Sequence, residues 1–284
     1  MVRKALLIIP LIIIIAVGAF FYLQLNPLQG PLAQLKIERG TVEYSTGEEF
    51  FSEIAGPMLR FQPATDRMEL KENYVVRTGT DSEASIILRE SSSVRLSENT
   101  EITLEEVRAG SPMRFKARQG NGRTWHQVLK MTGFEKYEVR SPNMVATVRG
   151  TSFDMNIQDD QTTCSSADGT VLGGTDEDLR DVPEGRRLEV DSQGEFTEGE
   201  LIEDEWITQN KQRDDNWLEQ VKQRLREKYG FLIGTAKSQG ATEEQIEEWL
   251  DGYVQGTVSV QDAIDQGLIP EQFVGLVPEE LKRY

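Results

Sequence analysis

The sequence predicts a mainly β protein built from stacked short strands, in a meander or a solenoid-like coil. A single N-terminal transmembrane helix precedes the β domain, and a small α-helical region follows it. Three observations carry this reading. Residues Ala5 to Leu23 hold no charge and are mostly Leu, Ile, Val, Ala or Phe. From about Leu35 to Thr197, apolar and polar residues alternate in short runs broken by Gly, Ser, Asn, Asp and Pro. After about Asp204 the apolar period lengthens from two to three or four. The implied segments are an anchor over 1–25, a linker over 26–36, a β domain over 37–198 and an acidic helical region over 204–284.

The anchor comes first. A hydrocarbon core about 30 Å thick takes roughly 20 apolar residues in a helix, and Ala5 to Leu23 supplies such a run. Arg3 and Lys4 precede it, and no positive charge follows before Lys36. That asymmetry predicts a cell-membrane protein with its N-terminus cytoplasmic and everything after Leu25 extracytoplasmic. Phe20, Phe21 and Tyr22 suit the outer interface, and Pro10 kinks the helix without preventing insertion. The competing reading is a cleaved signal peptide. Its apolar region is shorter, and the small triplet Ala16-Val17-Gly18 lies inside the run with bulky aromatics after it. No lipobox-like cysteine follows the segment. Asn26 to Gln34, with two prolines and a glycine, reads as the linker.

Within the β region, Ile86 and Leu88, Val94 and Leu96, and Ile102 and Leu104 form three apolar pairs at a regular eight-residue spacing. Alternation puts each pair on one face of a strand, and the regular spacing predicts that they stack side by side. Further strands are expected at Met113–Phe115, Thr124–Val128, Tyr137–Val139, Val145–Val148, Phe153–Ile157 and Leu188–Val190. Phe50 to Thr65 reads as a loop or insertion, and acidic Thr175 to Glu184 as a surface loop. In the tail, Trp217, Leu218, Val221, Leu225 and Tyr229 mark an amphipathic helix stopped by Gly230. Thr242 and Gln245 form a capping box ahead of Ile246, Trp249, Leu250 and Tyr253. Short helices are expected after Ser259, Pro270 and Pro278.

Composition narrows the chemistry. The formal net charge of −17 argues against nucleic acid or an anionic membrane surface as the main partner. One cysteine, Cys164, rules out an intramolecular disulfide and reads as a small buried strand residue. One histidine, His126, removes most triad and zinc chemistry, and no G-x-S-x-G surrounds a serine. It alternates with apolar neighbours and reads as a surface-facing strand residue. No Asp-x-Asp-x-Asp-Gly loop is present, so no metal and no cofactor is expected.

Several stretches carry a family pattern. Val75-Val76-Arg77-Thr78-Gly79-Thr80-Asp81-Ser82-Glu83-Ala84 is a threonine-glycine strand opening with serine and alanine after it. Ser93-Val94-Arg95-Leu96-Ser97-Glu98-Asn99-Thr100 follows, and then Pro142-Asn143-Met144-Val145-Ala146-Thr147-Val148-Arg149-Gly150-Thr151-Ser152-Phe153. Gly169-Thr170-Val171 and Glu184-Gly185-Arg186-Arg187-Leu188 complete the series. In these residues the chain resembles the FecR domain family over about Gly40 to Thr197. The segment near Phe50 to Arg67 looks inserted, and Thr162-Thr163-Cys164 stands where an apolar strand is expected.

The resemblance implies an extracytoplasmic, non-enzymatic β domain that engages other envelope components. It makes Thr78, Gly79, Ser82, Asn99, Thr100, Pro142, Arg149, Gly150, Thr151 and Phe153 signature positions. Val148 and Phe153 read as core. Gly150 reads as a close backbone approach, and Arg149 as a tie to a neighbouring turn or, alternatively, a ligand contact. In the best-known members a cytoplasmic segment controls a sigma factor. Only Met1 to Lys4 would lie inside here, so that activity is not expected to transfer.

The expected function is thus an interaction or signalling module for an envelope protein or polymer. An architectural role through self-assembly is the alternative. A glycan hydrolase built on carboxylate pairs such as Asp159-Asp160, Asp214-Asp215 or Glu243-Glu244 is a third, but those pairs read as solvated.

Overall fold

The computed structural model describes residues 31–47, 49–52, 56–89, 91–108, 113–238, 240–258, 262 and 265. The anchor Ala5 to Leu23, with Arg3 and Lys4, and the helices expected beyond Ser259 therefore lie outside the described residues. Among those described, no helix is long and apolar enough to cross a membrane. The chain divides into two compact units, one of Gly30–Leu218 and one built after Leu218.

The first unit is two β-sheets packed face to face. Sheet A runs, neighbour to neighbour, β6 (Glu69–Leu70), β1 (Ala33–Arg39), β8 (Glu83–Leu88), β9 (Ser92–Leu96), β11 (Met113–Val128), β14 (Thr151–Gln158), β15 (Gln161–Asp168), β18 (Arg186–Val190) and β19 (Phe196–Glu200). Sheet B runs β5 (Gln62–Pro63), β2 (Val42–Ser45), β7 (Val75–Thr78), β10 (Glu101–Arg108), β11, β12 (Phe134–Arg140), β13 (Val145–Val148), β16 (Thr170–Gly174) and β17 (Leu179–Pro183). From β8 the chain lays β8 and β9 in sheet A, β10 and the first half of β11 in sheet B, and the second half of β11 in sheet A. From β12 onward it places two strands in each sheet in turn. Strand β11 belongs to both sheets. Its first half pairs with β10 and, in parallel, with β12, and its second half pairs with β9 and β14. A separate ladder joins β3 (Glu49–Ser52) to β4 (Gly56–Leu59).

The alternation noted in the sequence builds the core. Ile86, Leu88, Val94, Leu96, Ile102, Leu104, Phe115, Tyr137, Val139, Phe153, Met155, Cys164 and Leu188 are buried between the sheets. Cys164 is free and buried. The three evenly spaced apolar pairs do not all stack in one sheet, however. β8 and β9 pair in sheet A, whereas β10 has crossed to sheet B. The eight-residue period thus marks one crossing as well as one hairpin.

Other expectations are corrected by pairing. β1 begins at Ala33, inside the expected linker, because Leu32, Ala33 and Leu35 are buried and Ala33 pairs with Leu88. Phe50 to Thr65 is not a plain loop but holds β4 and β5. Thr175 to Glu184 contains β17, which pairs with β16 from Thr170↔Pro183 to Gly174↔Leu179. Met113–Phe115 and Thr124–Val128 are two ends of one 16-residue strand.

Helix α1 (Glu205–Lys228) starts in the first unit. The second unit contains the rest of α1, α2 (Gly230–Ser238) and α3 (Glu243–Val254). Val221, Leu225, Tyr229, Ile246, Leu250 and Tyr253 are buried there, and Lys222 Nζ pairs with Asp251 at 2.9 Å. Thr242 caps α3 in a full capping box with Gln245, as its sequence implies.

Candidate interaction surfaces

The signature residues stitch the corners where the chain crosses between sheets. Thr78 Oγ1 donates to the Ser97 carbonyl at 2.6 Å and accepts from the Thr100 amide at 3.0 Å. Ser82 Oγ accepts from the Thr41 amide at 2.8 Å, Gly79 N donates to Thr41 O, and Asn99 N donates to Gly79 O. Thr100 Oγ1 accepts from the Arg123 amide at 3.0 Å, and Asn121 Nδ2 donates to Asn99 O at 2.6 Å. Four successive corners are thereby tied into one ladder of turns. The last step needs Gly122, whose φ is +81° and where a Cβ would meet Thr100 Cα at 2.6 Å and Asn99 O at 2.7 Å.

The second group serves another corner. Gly150 has φ +85°, and a Cβ there would strike the Lys130 stem at 2.0 Å. Thr151 Oγ1 donates to Thr170 O at 3.2 Å. Pro142 is exposed in the turn between β12 and β13, which its neighbour Asn143 fastens by donating to Val190 O at 2.7 Å. Phe153 is fully buried and lies parallel to His126, with ring centroids 4.5 Å apart. Arg149 is exposed and makes no hydrogen bond or ion pair among the described residues, so the expected tie to a turn is not formed.

His126 reverses the expectation of a surface-facing residue. It is completely buried between the sheets, bonded through Nδ1 to Tyr137 OH and through Nε2 to Thr124 Oγ1, both at 2.8 Å. Burial pushes it down to about 3, so it stays neutral. The outward neighbours Trp125 and Gln127 are buried too, because the first half of α1 covers them. A strand buried on both faces offers no polarity contrast from which to read its orientation.

Under that helix sits a charged network which the sequence conceals. Arg95 Nη1 donates to Asp214 Oδ1 at 2.5 Å and to Asn210 Oδ1 at 3.2 Å, and Arg95 Nη2 donates to Gln127 Oε1 at 3.2 Å. Asp214 Oδ2 accepts from Trp125 Nε1 at 3.0 Å and from Ser152 Oγ at 2.7 Å. Burial raises the Asp214 carboxyl and lowers the Arg95 guanidinium, the signature of a desolvated pair. About two turns earlier in α1, Trp206 Nε1 donates to Asp154 Oδ1 at 3.0 Å, where Arg123 Nε also donates at 2.8 Å. Burial pushes Asp154 up to about 6 despite that cation. Of the expected acidic pairs, Asp214-Asp215 is therefore not simply solvated. Asp159-Asp160 caps the β14–β15 turn at positive φ, and Glu243-Glu244 is exposed at the start of α3.

The outer face of sheet B carries charges of another kind. Glu43, Arg77 and Glu101 stand in register across β2, β7 and β10. Glu105 accepts from Lys116 at 2.9 Å and Arg118 at 2.5 Å. Glu138 accepts from Lys136 and from Arg140, each at 2.7 Å. Burial raises both of these carboxyls, but their hydrogen bonds from Lys and Arg outweigh it and hold them below the usual range. None of these residues was singled out from sequence. The signal was present as Arg114-x-Lys116-x-Arg118 and Lys136-x-Glu138-x-Arg140, charges repeating at the strand period.

This is a two-sheet β domain with one face strapped by a helix and the other open and charged. Residues 74–172, the stretch from the start of β7 into β16, match the family model described as FecR protein. No curated protein matches the chain. Two crystal structures of a candidate anti-sigma factor from Parabacteroides distasonis ATCC 8503 are similar, at 17% and 16% identity with TM-scores of 0.39 and 0.38. Each alignment covers 44% of this chain and 59% of the other.

Proposed function

We propose that the protein is a non-enzymatic, membrane-tethered, extracytoplasmic interaction module of the FecR type, working in signalling through contact with an envelope protein. The observation that carries this is the FecR match over strands of both sheets, β7 to β16, which includes most of the open face of sheet B. The uncharged run Ala5 to Leu23 behind Arg3 and Lys4 supports the tether and its orientation. A photo-crosslinking side chain at Thr147, on the open face, is expected to trap a discrete envelope protein in living cells. Absence of any adduct from open-face positions would overturn the reading. For topology, a tag at Tyr284 should be cleaved by protease added to intact cells, and cleavage only after lysis would reverse the orientation.

A second reading, self-assembly into an architectural layer, is favoured by one observation. Strand β17 ends sheet B with five residues, and Leu172 and Leu179 are exposed beside that edge. Light scattering on the purified chain separates the two, since a large ordered assembly supports architecture.

A further inference from the structure

The outer face of sheet B places like charges next to each other. Register sets Arg108, Arg114 and Lys136 in one row across β10, β11 and β12, and Arg118 beside Arg140 in another. Between them lies the row Glu106, Lys116 and Glu138. Like charges directly opposite one another destabilise a sheet, a cost offset here by ion pairs to Glu105, Glu106, Glu135 and Glu138.

Height matters as much as register. The β-bulge between Leu104 and Glu106 brings Glu105 and Glu106 to this face together. Their side chains are recessed, at 21% and 23% exposed, and that of Glu138 is only 5% exposed. Arg114 at 38%, Lys136 at 45%, Arg118 at 53% and Arg108 at 61% stand further out, whereas Lys116 at 29% and Arg140 at 25% lie nearly level with Glu105 and Glu106. Glu135, at 51%, and Asp176, at 70% and paired with Arg140, are the carboxylates at that outer level. Glu105, Glu106 and Glu138 thus form a floor, and the patch carries six cations against five carboxylates in a chain of net charge −17.

We propose that this stripe, Arg108, Arg114, Lys116, Arg118, Lys136 and Arg140, docks an extended acidic segment of a partner protein. The inference rests on the reading of the domain as an interaction module and names the chemistry of its partner. Along β11 the cations repeat every second residue, about 6.6–6.8 Å apart. An extended peptide with carboxylates at alternate positions has the same repeat. Four of the six cations are arginines, whose planar forks grip carboxylates in pairs.

The test uses the full chain and a fluorescent peptide of alternating Glu and Ser, followed by anisotropy. Binding is expected at low salt and should fall steeply by 0.5 M salt, since the face is exposed to screening. The combined Arg114→Gln, Arg118→Gln and Arg140→Gln variant should bind at least about tenfold more weakly, with Lys71→Gln, on an exposed turn elsewhere, unchanged. Glu135→Gln should instead tighten binding by about two- to threefold, a gain that misfolding cannot produce. Failure of the wild-type chain to bind, equal loss in Lys71→Gln, or no gain in Glu135→Gln would each overturn the proposal. So would a preference for polyphosphate of matched charge, which would assign the stripe to a phosphate polymer. A Thr147 crosslink without peptide binding would sink this inference and leave the interaction-module reading standing.

Discussion

On the outer face of sheet A, the Arg95 and Asp214 side chains are 5% and 11% exposed and meet beneath a helix. On the outer face of sheet B, Arg118 and Glu105 make an ion pair of the same length with the arginine 53% exposed. The geometry is alike, but the energetic weight is not. Water screens the second pair and replaces either partner at little cost. The first has lost its water, so each charge depends on the other and on Asn210, Gln127, Trp125 and Ser152. One face is therefore committed to holding α1, and the other is left free to respond to what approaches it.

The sharpest way to break this contrast is Asp214→Ala. It strands Arg95 in a buried site and orphans the Trp125 indole N–H, and should cost about 3–5 kcal/mol in denaturant unfolding. A loss below about 1 kcal/mol would mean that the helix-covered face is no more committed than the open one.

The next test uses pH. Asp154 is held at about 6 when folded, above its ordinary value of 3.8. The folded state then binds the proton more tightly, so this contribution is fully present below about 3.8 and is lost as pH rises through about 6. Asp214, also raised, acts in the same direction. Asp154 should accordingly contribute on the order of 1–2 kcal/mol more at pH 5 than at pH 7. His126, held at about 3 against its ordinary 6.5, loses a similar amount over the same window. Asp154→Asn should therefore steepen the loss of stability toward pH 5 by on the order of 1–2 kcal/mol. Glu105, Glu138 and Asp204, all held low, oppose it only once pH falls into the carboxylate range.

Gly150→Ala should cost about 1 kcal/mol in thermal unfolding, because φ is positive there while the Lys130 stem it meets can swing aside. The smallest effect belongs to the open face. Arg118→Gln should change stability by about 0.5 kcal/mol or less, and a loss comparable to that of Asp214→Ala would erase the distinction between the faces.

These residues also mark how far the sequence could be read. Strands such as β10 and β14 were legible because each has an apolar inner face and a polar outer one, as Ile102-Thr103-Leu104 and Phe153-Asp154-Met155 illustrate. The helix cap at Thr242 was legible because its signal is local. The covering of sheet A by α1 was not, because the contacting positions Asn210 and Asp214 are polar and interrupt the apolar stripe. His126 misled for the related reason that both faces of its strand are buried. Gly120-Asn121-Gly122 lies inside β11, where the strand passes from one sheet to the other. The cationic rows depend on the parallel pairing of β11 with β12 and on the bulge in β10, and neither is written in local residue preferences.

The passage of β11 through both sheets has a consequence for how the domain comes apart. Four neighbouring strands, two in each sheet, hold hydrogen bonds to this one segment. Neither sheet peels away without breaking a ladder that the other also relies on. Amide protons along β11 should thus exchange only through global opening, with the sandwich behaving as a single cooperative foldon rather than two. Tension applied to either sheet by a bound partner would be carried across the domain along this strand.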